Sequence, residues 1–386
     1  MLGVMYQTNG LHYTPNWSNL RIKGGDFTVD RMPLESQTLY AELLERLSAL
    51  EARRSIGYVS GSFVTKRIGG ETYYYFQYSS PGGVKRQLYI GRKDQILDQI
   101  VKRHKEGREW FSEDAAGIQR LCAQLRAGGA LVIDSASARV LKALSDGGIF
   151  HLDGVLIGTQ AFMVLGNLLG VRWGGSSIRT QDIDIAAEAT VSIALPDRGV
   201  DVPGVIEGLE MGFLPVPQLD PRKPSTSFVV RGKGLRVDLL TPLRGRRARG
   251  PIIINRFRAA AQPLPFLDFL IAKPVRGAVV DGGGVLVNVP DPARFAFHKL
   301  IVSGERGAAM HTKRTKDIHQ AAQIFSVLVE DRPGDVRIAW DEIRKNGQGW
   351  VKRVREGLLG LEKLGTGVAE QVAASLSITI PRISKR

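Results

Sequence analysis

From residue 149 to residue 290 the chain interleaves stretches of strand periodicity with a stretch of helical periodicity, which limits it to a fold where sheet and helices share a core. FHLDGVLIG reads as a strand, TQAFMVLGNLLG as a helix, and SIRTQDIDIAAE carries a second strand. SFVVRGKGLRVDLLTP reads as a hairpin turning at Gly232-Lys233-Gly234, and GAVVDGGGVLVNVP as another turning near Asp281-Gly282. From Asp291 onward the pattern is mostly helical, with Asp291 and Pro292 forming an N-cap and N1 pair.

The segments before residue 149 differ in kind. Residues 1–32 lack periodicity and are expected to form an irregular arm. Residues 33–54 have helical spacing through Tyr40, Leu43, Leu44, Leu47 and Leu50. Residues 58–92 read as a three-stranded meander with turns at Gly69-Gly70 and Pro81-Gly82-Gly83. Alternation puts Tyr73, Tyr75 and Gln77 on one face and Tyr74, Phe76 and Tyr78 on the other, with Lys66, Arg67, Lys85 and Arg86 around them. Such a surface either stacks on bases and holds phosphates or packs one aromatic face on flanking helices. A charged helix is expected over 94–109. Two more are expected over 112–148, one starting at Ser112 and Asp114, the other running from Ser135 to Gly147-Gly148. At 386 residues the chain exceeds one ordinary domain, and we divide it at 1–110, 111–148, 149–290 and 291–386.

The charge balance selects partners. Lys and Arg total 53 against 38 Asp and Glu, a net charge of +15, which favours polyanions. Residues 221–260 hold eleven Arg or Lys and a single acid, Asp238. One cysteine, Cys122, excludes a disulfide framework and suits a reducing, cytoplasmic compartment. The first ten residues lack the pattern of a secretory signal, and no apolar run is long enough to span a bilayer, so no membrane partner is expected.

Three short elements carry chemistry. In TQDIDI, residues 180–185, Asp182 and Asp184 project to one face of a strand while Ile183 and Ile185 enter the core. Two carboxylates so close repel each other unless a divalent cation lies between them. In RVDLL, residues 236–240, Asp238 is a lone acid in an apolar strand; it either joins the first two carboxylates around metal or pairs with Arg236. In LIGTQAF, residues 156–162, a strand ends at Gly158 and a helix begins, with Thr159 expected as its cap; exposed N–H groups at such a start bind phosphate.

In this order the three elements resemble the DNA polymerase β nucleotidyltransferase superfamily. The stretch LIGTQAFMVLGNLLGVRWGGSSIRTQDIDIA resembles a branch of bacterial nucleotidyltransferase-fold proteins with a Gly-Thr turn and a Thr-x-Asp-x-Asp strand, as do VPDPARFAFHKLI and KRTKDIHQA. The resemblance spans about residues 110–350. Two departures are Thr159 in place of a serine and a 24-residue interval from Gly158 to Asp182, read as an inserted turn. The resemblance implies an α+β fold, with a polymerase β-type core of mixed sheet and helices and a C-terminal helical domain closing over the nucleotide cleft; the N-terminal helix plus β-meander unit, read from periodicity, precedes both. It implies an NTP substrate and two Mg²⁺ or Mn²⁺ ions on Asp182, Asp184 and Asp238. Gly158 and Thr159 would hold the triphosphate. Arg179 and Thr180 would reach phosphate, or else serve as a strand-end ion pair and cap. Lys299 and Lys316 would contact phosphate, or else lie on a solvated helix face. His298, His311 and His319 make no metal-ligand spacing. Arg244, Arg246, Arg247 and Arg249 would form a track for an anionic acceptor or the NTP, or else a solvated basic loop.

The function expected is transfer of a nucleoside monophosphate from an NTP to a hydroxyl, with release of pyrophosphate. RNA is the favoured acceptor; a protein side chain, a small molecule and a protein partner stay open. The alternative is a nucleic-acid-binding or regulatory protein that binds NTP without turnover.

Overall fold

The computed structural model describes residues 22–24, 27–55, 61–79, 85–175, 181–189, 199–245, 250–305 and 310–380. The chain opens with strands β1 (Ile22–Gly24) and β2 (Phe27–Arg31) and helix α1 (Leu34–Ser55). The meander follows as β3 (Ser62–Ile68), β4 (Glu71–Ser79) and β5 (Lys85–Arg92), then α2 (Gln95–Ala127) and α3 (Ser135–Asp146). Next come β6 (Val155–Ile157), α4 (Gly158–Leu168), β7 (Val171–Trp173), β8 (Asp182–Ala186), α5 (Val202–Glu207) and β9 (Phe213–Pro215). Strands β10 (Ser227–Val230), β11 (Arg236–Pro242), β12 (Ile252–Ile254) and β13 (Ala259–Leu264) precede α6 (Leu267–Ile271) and the hairpin β14 (Val275–Val279) and β15 (Val285–Val289). The C-terminal part is helical: α7 (Pro292–Glu305), α8 (His311–Asp331), α9 (Pro333–Lys345), α10 (Gln348–Glu362) and α11 (Val368–Leu376).

Strand β11 is the hub of a mixed seven-stranded sheet. It pairs parallel with β8 and β13 and antiparallel with β10; β6 lies antiparallel on β8, β9 on β10 and β12 on β13. Its inner residues Val237 and Leu239, with Ile183 and Ile185 of β8, are at most 1% exposed. Burying each such side chain stabilises the fold by about 1.5–3 kcal/mol, which fixes which face of each strand is left for polar residues. One hydrophobic cluster runs from the sheet through α4 into α7, α8, α10 and α11, so the C-terminal helices share the sheet's core. A second cluster joins α1 and α2 to the β14–β15 hairpin.

Several local expectations are met. The hairpins turn where glycine and aspartate place them, and Asp281 Oδ1 accepts from the N–H groups of Gly283 and Gly284 at 2.9 and 2.6 Å. Asp291 caps α7 by accepting from Arg294 N–H at 3.0 Å. Others need correction. The arm over 1–32 is not irregular throughout: β2 pairs with β7, and Gln323 of α8 donates to Thr28 and Gly174 carbonyls at 2.9 and 3.0 Å. No helix starts at Ser112 and Asp114. Helix α2 runs unbroken for 33 residues from its cap Asp94, because a residue able to cap does not end a helix whose next turns are held by packing. Among the described residues, no helix is long and apolar enough to cross a membrane.

Candidate active site

The parallel pairing of β8 with β11 sets the geometry. Asp238 stands in register with Asp184, and Arg236 with Asp182. Residues in register share a face, and neighbouring strands lie about 4.8 Å apart, so the three acids occupy one side of the sheet. The row continues in both directions: Ile157 of β6 is in register with Asp184, and Ser227 of β10 with Asp238.

Asp184 is the carboxylate under most electrostatic stress. Its carboxyl is raised from 3.8 to about 6, first by burial, then by the negative charges of Asp238 and Asp182; Lys299 and Arg236 offset part of this. Gly158 explains the crowding. It has φ +69°, and a Cβ there would collide with Asp184 Oδ2, so only glycine lets the first residue of α4 lie against the carboxylate. Gly158→Ala is expected to slow nucleotidyl transfer about 10²-fold while circular dichroism stays native, since a displacement near 1 Å at reacting groups has that effect. An unchanged turnover number would show that Asp184 tolerates the shift.

The cap of α4 differs from expectation. The N-cap position is Ile157, and no side chain caps the helix there. Thr159 lies inside the first turn, is 8% exposed, and its hydroxyl accepts from Gln320 of α8 at 3.5 Å. The start of α4 therefore has no side-chain acceptor for its first backbone N–H groups.

Lys299 of α7 and Lys316 of α8 are within electrostatic reach of the acids. Lys299 Nζ binds Asp317 at 2.9 Å, with side-chain exposures of 13% and 4%, and lies 5.2 Å from the Phe295 ring centre. Lys316 has its ammonium pulled down, first by burial and then by Lys299, against Asp317, Asp182 and Asp184, which favour the charged form. Neither lysine sits on a solvated helix face.

Asp238 makes two contacts at once. Arg236 Nε donates to both its oxygens at 2.8 and 3.0 Å, and the Ser227 hydroxyl donates to Oδ1. Arg236 Nη2 also reaches Ser227 Oγ at 2.9 Å. Ser227 was not legible as a site residue, because only the β10–β11 register brings it there. A cavity of about 380 Å³ opens beside Asp238, between the segment after β9 and strands β10, β11 and β13.

The donor set suits a hard divalent cation. Its donors are carboxylate oxygens, and the charges of Asp238 and Asp182 bear on the buried Asp184 carboxyl. Among the described residues no three Asp, Glu, His or Cys side chains form a ready-made cage. Mg²⁺ does not require one, since it takes one or two carboxylates and completes its shell with substrate phosphate and water.

The profile of the nucleotidyltransferase family matches residues 135–345, more than half of the chain. The chain belongs to the nucleotidyltransferase family. No curated protein matches it. Among solved structures, this nucleotidyltransferase is similar to the crystal structure of an antigenic nucleotidyltransferase-like protein from Paracoccidioides brasiliensis, at 11% identity and TM-score 0.30, over 58% of this chain and 94% of that one. The α+β architecture, with its mixed sheet and C-terminal helices, is the one expected, and the protein is a transferase acting on nucleotides.

The remaining predicted residues fall into three groups. Arg179, Thr180, Arg246, Arg247 and Arg249 lie outside the described residues. Arg244 is exposed and pairs with Glu188 at 2.9 Å. Lys66, Arg67, Lys85 and Arg86 are exposed on the meander. There one aromatic face packs on a flanking helix and the other is turned away from it. Tyr74 and Phe76 are buried on α2, where Tyr74 Oη donates to Asp98 at 2.6 Å and His104 packs edge-on against Phe76. On the other face Tyr75 and Tyr89 meet at 5.5 Å, Tyr89 is 55% exposed, and Lys66 Nζ lies 4.6 Å over Tyr75.

Proposed function

We propose that this nucleotidyltransferase moves a nucleoside monophosphate from an NTP to a hydroxyl of RNA and releases pyrophosphate, with Asp182, Asp184 and Asp238 as its metal-binding carboxylates. The observation that carries this reading is the register that puts Asp238 beside Asp184. Residues 149–290 form the catalytic core in this reading, with 291–386 as a helical domain that supplies cations, 111–148 as a connector and 1–110 as the meander-bearing unit.

Each part has a task. The N–H groups at Gly158 and Thr159 hold the triphosphate, with Arg179, Lys299 and Lys316 adding positive charge around it and the Thr180 hydroxyl reaching phosphate. Two Mg²⁺ or Mn²⁺ ions, when bound, neutralise phosphate charge and acidify the attacking hydroxyl. The acceptor oxygen attacks the α-phosphorus, its proton passes to Asp238, and the bond from that phosphorus to the bridging oxygen breaks as pyrophosphate leaves. The basic charge and the outward Tyr75–Tyr89 face with Lys66 support RNA, which Lys85, Arg86, Arg67 and the Arg244–Arg249 stretch would help hold. We place the protein in the cytoplasm, in keeping with its single cysteine, the buried Cys122.

Label transfer tests this. The purified protein, each α-labelled NTP and Mg²⁺ or Mn²⁺ are incubated with and without total RNA, beside the Asp182→Ala/Asp184→Ala variant. Label on RNA that the variant lacks is the expected result. Label on the protein itself would assign a protein hydroxyl as acceptor, and NTP binding without any label would leave the fold as an NTP sensor.

A further inference from the structure

We infer that the outward face of the β3–β5 meander is a second binding site, separate from the carboxylates, that takes a single-stranded stretch of RNA on Tyr75, Tyr89, Lys66 and Lys85. The inference rests on the reading of RNA as acceptor and adds to it where the strand is held and why it must be unpaired there.

The register of the meander builds this face. Lys66, Tyr73 and Arg92 form one row across the three strands, and Val64, Tyr75 and Tyr89 the next. Tyr89 and Arg92 are three residues apart, which in an unbroken strand would set them on opposite faces. The register shifts by one residue between them, so both belong to the outward face; re-aiming a side chain is what such a bulge does. Tyr89 meets Tyr75 at 5.5 Å and 70°, and Tyr73 at 6.1 Å and 46°. Rings that already lean on one another edge to face are ordered before a ligand arrives, so stacking on them costs little further ordering.

Charge and ring faces together select the partner. Strands β3 to β5 carry Lys66, Arg67, Lys85, Arg86 and Arg92 against one acid, Glu71, which Arg92 holds at 2.6 Å. The other four cations are exposed, and Lys66 Nζ lies 4.6 Å over the Tyr75 ring, so a phosphate-binding group stands beside a stacking group. The partner must therefore be anionic and present flat faces. An acidic peptide has the charge without the faces. A duplex has the charge, but its bases already stack on each other, and the major groove of an RNA helix is too deep and narrow for side chains to read. A single strand offers both phosphates and open base faces.

The site is a unit of its own. Residues 62–92 lie outside the stretch 135–345 that matches the family profile, and their sheet is not the one that carries the acids. The first turns of α2 cover the meander's inner face through Leu97, Asp98 and His104. Its last turns, through Ile118, Leu121 and Leu125, join the cluster shared with α1 and the β14–β15 hairpin. His104 and Ile118 are about 20 Å apart along the helix. Helix α2 is thus a strut, with the meander at one end and the core at the other.

Fluorescence anisotropy tests the face without turnover. The full chain is titrated, in EDTA and without NTP, into a fluorescein-labelled oligouridine strand or into a labelled RNA duplex of the same length. The single strand should bind at least tenfold more tightly than the duplex. Tyr75→Ala/Tyr89→Ala should weaken single-strand binding tenfold or more, the scale of lost base stacking, while Tyr75→Phe/Tyr89→Phe, which keeps the rings, should bind as the wild type does. Lys66→Gln, at an exposed position, keeps the test open should the alanine variant not fold: it should lower the slope of log Kd against log salt by about 0.7, one phosphate contact on a single strand. Duplex bound as tightly as single strand, a folded alanine variant that binds as the wild type does, or a salt slope unmoved by Lys66→Gln would overturn the inference. In the transfer assay the alanine variant should raise the KM for RNA about tenfold and leave the NTP KM unchanged. Single-strand binding that the alanine variant loses, with no label transferred by the wild type, would remove the transfer reading and leave this site standing.

Discussion

Asp184→Asn is expected to abolish nucleotidyl transfer and, in EDTA, to raise the melting temperature by a few degrees. Burial and the neighbouring charges of Asp238 and Asp182 hold its carboxyl at about 6 instead of 3.8, so the ionised form is penalised in the folded chain. One pKa unit corresponds to about 1.4 kcal/mol, and the solvent-facing edge of Asp184 reduces the penalty to roughly 1–2 kcal/mol. The sign with pH follows. Below about pH 4 the carboxyl is protonated in both folded and unfolded chains, and wild type and variant should melt together. As pH rises towards 6 the wild type loses this stability and the variant does not; above 6 the gap is constant. Differential scanning calorimetry from pH 4 to 8 reads it directly. Added Mg²⁺ and NTP should raise the wild-type melting temperature more than the variant's, because the acids then gain a counter-ion. A variant that melts lower at every pH would show that the ionised Asp184 is stabilised by its surroundings. Such a residue illustrates stability given up for function.

Lys299→Met is expected to lower stability by about 3–5 kcal/mol, because it breaks a buried ion pair by removing the ammonium that Asp317 accepts from at 2.9 Å. A loss of that size would move the melting temperature by about 10 °C. The double variant Lys299→Met/Asp317→Leu removes both charges and should recover most of the stability, since a buried ion pair can be replaced by apolar side chains at little cost. The two variants separate structure from binding. NTP affinity by titration calorimetry should fall tenfold or more in the double variant as well, because its fold is restored and the cation facing the acids is not. A double variant that is stable and binds NTP as the wild type does would reduce Lys299 to a partner of Asp317.

Much of this arrangement is written in local pattern. Helix α1 and the β10–β11 and β14–β15 hairpins follow from periodicity and from glycine at the turns. The Asp-x-Asp pair follows from the two-residue repeat of a strand, which forces Asp182 and Asp184 to one face once Ile183 and Ile185 are buried. Other features have no local signature. The β2–β7 pairing joins segments far apart in the chain, and nothing in FTVDR announces its partner. Ser112 and Asp114 have the chemistry of a helix start, yet α2 passes through them. Thr159 has the chemistry of a cap, yet its hydroxyl turns to Gln320, because a buried hydroxyl takes the partner that packing brings. The meander's two faces look alike in sequence, and only contact with α2 decides which tyrosines are covered.

The sequence by itself determined the residue types of the site: two acids on one strand, a lone acid on another, and a glycine at a strand-to-helix turn. These are properties of single segments, fixed by strand period and by the φ that glycine alone adopts without strain. The tertiary structure decided which acids meet and what else meets them. Register between β8 and β11 places Asp238 beside Asp184, register between β10 and β11 brings Ser227 to Asp238, and helices α7 and α8 deliver Lys299 and Lys316. Strand pairing and helix docking are chosen by burial of apolar faces that lie far apart in the chain, so their outcome is a property of the whole core and of no one segment.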